Sequence, residues 1–369
     1  MAAALAAFAY ASPAAANPTL LFDVKTGQVL SHSDAFRKWH PASLTKLMSA
    51  YVTFRAVAAG ELAMDSPIKV SKNSSSEPPS KMGFKPGQVM TLDNALKMMI
   101  IKSANDIATA VAENVGGSEK AFVERMNAEA DRLGMNGSHF VNAHGLHSPD
   151  QYVTAHDLGL LVMAIRNEFP QHSGYFAIEG LSAGKKVMKT YNLLVGRFDG
   201  ADGMKTGFIC PSGFNMVGSA TRGDRTLAAV VLGAPSSKGR AETAAALLTK
   251  GFGGGFQPGS RLSALPVYGD AGAPPPNMRE EICAKKPAAA QAENAHEVEA
   301  DEKTSYLGEM TRPPRLVAVG LGGATGPVPK ARLAREEEMD FAEVPIPTPR
   351  PDHGPADDKA AAQGDSAQN

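Results

Sequence analysis

The stretch Leu44 to Ala58 is rich in Ala, Leu, Met and Val and contains neither Gly nor Pro. It suits a buried helix, and a buried helix needs a core around it. The 43% hydrophobic fraction permits one. Just ahead, Pro41 stiffens the approach and Ser43 falls where the helix N-terminus is expected. Ser43 and Lys46 are three apart and share a helix face. A serine hydroxyl is a poor nucleophile until a base takes its proton, and a lysine amine can do so when burial or a neighbouring charge lowers its pKa. The helix N-terminus adds a positive potential that favours developing negative charge. The plain alternative is a helix-capping serine beside a surface lysine, and S-x-x-K alone does not decide between them.

Two further constellations follow. Ser103-Ala104-Asn105 interrupts two helical patterns, Leu92 to Met99 and Ile107 to Val115. Such a turn can present a hydroxyl and an amide to a cleft, or simply be capped by them. Lys205-Thr206-Gly207 is expected on a strand just before a hairpin formed by Phe214 to Thr221 and Arg225 to Gly233. Lys205 and Thr206 can bind a carboxylate, and Gly207 lets a ligand approach the strand closely. Alone, the motif reads equally as a glycine-rich turn with a solvated lysine. An earlier Lys25-Thr26-Gly27 falls in the turn of a first hairpin and is a decoy. Phe122 to Leu133, Thr154 to Ile165 and Ser237 to Lys250 are expected helices, the last with Arg240 in its first turn.

Net charge is −1, which implies neither nucleic acid nor a membrane surface as a general partner. His144 and His147 lie close together, yet no zinc spacing accompanies them, so no metal and no cofactor is expected. Ala2 to Tyr10 is a short apolar run followed by small residues at Ala14 to Ala16. Residues 1–16 therefore resemble the end of a secretory signal, with the basic region expected upstream of Met1; an Ala-rich disordered tail is the alternative. Residues 257–369 are rich in Pro, Ala, Gly and charge and are expected to be linker or disorder, with one apolar stretch, Leu316 to Gly323, able to dock.

S-x-x-K, S-x-N and K-T-G in this order are shared by penicillin-binding proteins and serine β-lactamases. The wording is more specific. Pro41-Ala42-Ser43-Leu44-Thr45-Lys46, Lys102-Ser103-Ala104-Asn105-Asp106, Asn142-Ala143-His144-Gly145-Leu146 and Asp202-Gly203-Met204-Lys205-Thr206-Gly207 resemble the D-alanyl-D-alanine carboxypeptidases among low-molecular-mass penicillin-binding proteins. The resemblance covers about Thr19 to Phe256. It implies an α+β fold of the β-lactamase/transpeptidase type, an antiparallel sheet flanked by helices with a helical subdomain, as a catalytic domain over residues 17–256. It implies an exported, periplasmic or secreted enzyme whose partners are peptidoglycan stem peptides and, as covalent inhibitors, β-lactam antibiotics. Residue by residue, Ser43 resembles the nucleophile and Lys46 its general base. Ser103 resembles the proton relay to the departing D-alanine, with Asn105 holding Lys46 and the substrate amide. Lys205, Thr206 and, less directly, Arg240 resemble partners of the substrate carboxylate. Backbone N–H groups of Ser43 and Phe208 resemble the oxyanion hole.

Two departures stand out. The tail shows neither a clear strand series nor a basic amphipathic helix, so a C-terminal membrane anchor is not expected. Phe208-Ile209-Cys210 stands where polar residues are common, a place for a difference in substrate preference. A β-lactamase would need a water-positioning glutamate, and Glu168 and Glu179, between Asn142 and Lys205, lack the usual setting. D,D-endopeptidase activity and a non-catalytic muropeptide-binding role are the other readings. In an oxidising compartment an even cysteine count favours a Cys210–Cys283 disulfide pinning the tail beside the catalytic strand, against the alternative of two unpaired thiols.

Overall fold

The computed structural model describes residues 17–257, 259–284 and 306–332. Residues 1–16, and with them the expected signal segment, lie outside the described residues. The chain opens with a hairpin, β1 (Thr19–Asp23) and β2 (Val29–Ser33). Gly27 makes its turn at φ 71°, a conformation glycine adopts without a Cβ penalty. A 3-10 turn at Ala42–Leu44 leads into α1 (Thr45–Ala58). α1 is apolar nearly all round and almost wholly buried, as such a helix must be. Each Leu, Met or Phe it buries is worth roughly 1.5–3 kcal/mol.

The helical lobe follows: β3 (Pro67–Lys69), α2 (Lys72–Ser76), β4 (Val89–Thr91), α3 (Leu92–Ile101), α4 (Asn105–Gly116), α5 (Glu119–Leu133) and α6 (Ala155–Glu168). Side-chain caps set several helix starts: Thr91 accepts from the Asn94 N–H, Ser118 from Ala121 and Thr154 from Asp157. β5 (Gly180–Ala183) and β6 (Lys186–Lys189) then form a small hairpin. The chain returns to the main sheet through β7 (Ala201–Ile209), β8 (Gly213–Arg222) and β9 (Arg225–Ala234), and α7 (Ser237–Phe252) packs on it.

The main sheet is antiparallel, in the order β2-β1-β9-β8-β7, so the last-named strand is an edge. Both faces are covered, which explains the continuous apolar runs of β8 and β9. Leu20, Phe22, Ala228, Val230 and Leu232 face the core shared with α1 and α6. Leu21, Leu227, Ala229 and Val231 face the other way, against Ala241, Ala244, Ala245 and Leu248 of α7.

The expectation of linker or disorder beyond residue 256 does not hold for two described segments of that tail. Residues 259–284 run along β2, where Gly259 N–H donates to Val29 O, and end in α8 (Arg279–Cys283) beside the β7–β8 turn. Cys283 is joined to Cys210 by a disulfide, with Cα atoms 5.8 Å apart. Residues 306–332 cross to the helical lobe: β10 (Leu316–Ala318) pairs in parallel with β5, Gly322 N–H donates to Val89 O, and Thr325 Oγ1 donates to Asp65. Leu316 to Gly323 thus docks as its apolar composition allowed; the rest was hidden because the tail supplies few core side chains and docks largely through its backbone. Among the described residues no helix is long and apolar enough to cross a membrane.

Candidate active site

Ser43 lies in the 3-10 turn, one residue before the N-cap of α1. The turn is gripped between two glycine backbones. A Cβ on Gly145 would stand 1.9 Å from Ala42 O, and one on Gly207 would stand 2.9 Å from both Pro41 O and Ser43 N. Gly207 thus brings the edge strand against the Ser43 N–H, a role distinct from admitting a ligand. Ala42 is held at φ 48°, in a region that costs a residue bearing a Cβ.

Lys46 is fully buried. Its Nζ is 3.1 Å from Ser43 Oγ, 2.8 Å from Asn105 Oδ1 and 2.5 Å from His144 O. In the amine form, two N–H groups satisfy the two carbonyl oxygens and the lone pair is left for the Ser43 hydroxyl proton. That is the geometry a Ser–Lys nucleophile and base require.

Ser103 occupies the turn between α3 and α4 at φ 60°. Its Oγ accepts from Lys205 Nζ at 3.0 Å, while the same ammonium donates to Thr206 O at 2.9 Å. Asn105 starts α4; its Nδ2 donates to Pro78 O at 3.2 Å and its N–H to Ser80 O at 2.7 Å. The neighbouring Asp106 carboxylate accepts from Met82 and Gly83 N–H, clamping the loop that supplies those carbonyls.

Ser43, Lys46, Ser103, Asn105, Lys205 and Gly207 therefore converge on one cleft between sheet and helical lobe. Thr206 is buried on the same strand. The Phe208 ring turns away and packs against Phe214 at 4.3 Å, leaving its backbone as the part that can serve the cleft. Arg240 is 1% exposed, not a solvated first-turn charge. It lies behind the strand and donates to Gly207 O at 3.2 Å, Asn215 O at 3.4 Å and Ser237 Oγ at 3.3 Å.

In the sequence the loop at Asn142 to Leu146 stands out only by its resemblance, with its working part not legible there, and His144 stands out only as a candidate metal ligand. The structure uses its carbonyl on Lys46 and its ring against two carboxylates, Glu77 at 3.6 Å and Glu119 at 3.8 Å. Burial, then the Lys46 charge, pushes the His144 pKa down to about 3, while burial pushes both Glu77 and Glu119 above the usual carboxylate range. His147 does not join it but stacks edge-on against His40, with ring centroids 4.8 Å apart. Among the described residues no group of three or more His, Cys, Asp or Glu is placed to hold a metal ion. Glu168 and Glu179 are engaged elsewhere, with Tyr51 and Arg312 respectively.

An antiparallel sheet with a helical lobe and a buried Ser–Lys pair in the cleft between them is an arrangement for nucleophilic acyl transfer. The chain belongs to the D-alanyl-D-alanine carboxypeptidase family, peptidase family S11, whose model matches residues 6–236. It is 35% identical over 240 residues to D-alanyl-D-alanine carboxypeptidase DacC of Escherichia coli strain K12, a match covering 63% of this chain and 60% of that one. The chain thus spans about three fifths of that curated relative's length. Its fold is similar to the crystal structure of the carboxypeptidase DacD from Francisella tularensis, with TM-score 0.63 and 29% identity over 68% of this chain and 73% of that one. It is also similar to penicillin-binding protein D2 from Listeria monocytogenes in its cefotaxime-bound form, with TM-score 0.59 and 28% identity over 64% of this chain and 97% of that one.

Proposed function

We propose that this protein is a serine-type D-alanyl-D-alanine carboxypeptidase that removes the terminal D-alanine from peptidoglycan stem peptides and is acylated by penicillins. The observation that carries the reading is the buried Lys46 amine 3.1 Å from the Ser43 hydroxyl, with hydrogen bonds to the carbonyl oxygens of Asn105 and His144. Residues 17–256 form the catalytic domain in this reading.

Ser43 Oγ attacks the carbonyl of the penultimate D-alanine while its proton passes to Lys46. The oxyanion is met by the N–H groups of Ser43 and Phe208, which the close approach of Gly207 brings to one side of the cleft. Collapse breaks the peptide C–N bond, and the departing amine takes its proton through Ser103. The substrate carboxylate pairs with Lys205 and Thr206, with Arg240 adding positive charge behind the strand. Water then attacks the ester, Lys46 takes its proton, and Ser43 is regenerated. With a penicillin the leaving nitrogen stays tethered in the opened ring, so the ester persists. That the Listeria monocytogenes relative is described in a cefotaxime-bound form supports binding of this class of compound.

Peptidoglycan lies outside the cytoplasm, and the Cys210–Cys283 bond fits an oxidising compartment. We therefore place the protein in the periplasm or outside the cell, exported by residues 1–16 as the end of a signal peptide. Release of D-alanine from a stem pentapeptide, with a penicilloyl mass on the Ser43 peptide, tests the assignment. Neither product from a folded protein would refute it.

A further inference from the structure

The carbonyl that orients Lys46 is itself held from behind. His144 belongs to a loop with no regular secondary structure, so something must fix its peptide. The Ala143–His144 segment is fastened at three points. Ser49 Oγ of α1 donates to Ala143 O at 2.6 Å, Glu119 Oε1 accepts the Ala143 N–H at 3.2 Å, and Lys46 Nζ meets His144 O at 2.5 Å. The imidazole closes the arrangement. Its Nδ1 accepts the Leu146 N–H at 3.0 Å, so the neutral ring carries its hydrogen on Nε2, which faces Glu77 and Glu119. Glu77 is held by the Thr109 hydroxyl at 2.9 Å, and the next residue, Pro78, supplies the carbonyl that fixes the Asn105 amide. Lys46 from α1 and Asp106 and Glu113 from α4 are the other charged groups around this cluster.

We propose that Glu119 is a positioning residue for acyl transfer: it holds the loop by the Ala143 N–H and faces the His144 ring, and through this hold on the Ala143–His144 segment it places the His144 carbonyl that aims the Lys46 amine at Ser43. Glu77 acts with it through the His144 ring, tying this support to the loop that holds Asn105. The partners of Glu119 are the Ala143 N–H and the His144 ring, and no hydrogen bond among the described residues joins it to Ser43, so its effect is expected on the rate of the chemical step and not on substrate capture. The inference rests on the carboxypeptidase reading above.

Three variants test it, compared with wild type for penicillin acylation, for kcat and KM of D-alanine release, and for thermal melting. Glu119→Ala removes the acceptor and is expected to lower acylation and kcat by about 10²-fold, the cost of a misplacement near 1 Å, with KM little changed. Glu119→Gln keeps an acceptor at the same reach and is expected to restore most of the rate. Glu119→Asp keeps the charge but draws it back, and is expected to be slow; it stands in for Glu119→Ala if that variant does not fold. Wild-type kcat in folded Glu119→Ala or Glu119→Asp, a loss confined to KM, or Glu119→Gln as slow as Glu119→Ala would each overturn the role. If the wild-type protein itself neither labels nor releases D-alanine, the carboxypeptidase reading fails and this inference falls with it. If it does both, the variants decide the inference alone.

Discussion

Lys205 Nζ lies 3.0 Å from Ser103 Oγ, a hydrogen bond that joins the edge strand of the sheet to the α3–α4 turn across the cleft. The two residues are far apart in sequence and sit on different lobes, so the distance between the lobes is set at the point where substrate must enter. It also places one cation beside the hydroxyl proposed to relay the proton.

Lys205→Ala is expected to slow reaction with substrates bearing a free C-terminal carboxylate by about ten- to hundredfold more than with the matching amides. A hydrogen bond to a charged group is worth roughly 1.5–3 kcal/mol. Steady-state kinetics on an acid–amide substrate pair measure this. Equal losses on both would remove Lys205 from carboxylate binding.

Gly145→Ala places a methyl group where only 1.9 Å separates it from Ala42 O, at a φ of 92°. The turn carrying Ser43 must shift. We expect a destabilisation of roughly 1–3 kcal/mol, typical of overpacking, together with loss of penicillin labelling. A variant that melts and labels like wild type would show that the turn is not gripped as described.

The Cys210–Cys283 bond closes a separation of 73 residues. The chain-entropy model puts its contribution at about 4 kcal/mol as an upper figure. Denaturant unfolding with and without reductant is expected to show a stability loss up to that size, and non-reducing peptide mapping of exported protein a linked peptide pair. Free alkylation of both thiols without reduction would contradict the bond.

The crossing segment 306–332 is tied down by Arg312, whose guanidinium grips both oxygens of Glu179. Its hydrogen bonds, helped by the Arg315 N–H and both arginine charges, hold the Glu179 pKa down to about 2 from an ordinary 4.5. A depressed carboxylate stabilises the fold above its unfolded pKa, and that contribution is lost as pH falls through the folded value. Limited proteolysis should therefore spare the segment near neutrality and cut it more readily as pH drops from about 4.5 toward 2. Arg312→Ala should abolish that dependence; an unchanged profile would place the tether elsewhere.

Much of this was legible in the sequence because local pattern and function coincide there. The glycine-free run at Leu44 to Ala58 fixed a buried helix, and the alternating cores of β8 and β9 follow from two apolar runs around Arg222-Gly223-Asp224. Ser43 and Lys46 are three residues apart, so a helix alone brings them together. The contribution of His144 was not legible, because it works through a backbone carbonyl and any residue has one. The burial of Arg240 was not legible, because a first-turn position does not reveal that a strand covers it. The apolar stretch Leu316 to Gly323 marked where the tail could dock, but the strand it pairs with was not legible, because backbone pairing leaves little mark on composition.

The most direct test of the central claim compares wild type with Ser43→Ala, matched for melting temperature, in fluorescent-penicillin labelling and in D-alanine release from a stem pentapeptide. The account predicts a stable label on wild type and none on the variant, with D-alanine release lowered by at least about 10⁴-fold because the covalent step is gone. A folded Ser43→Ala protein that releases D-alanine at the wild-type rate would contradict it.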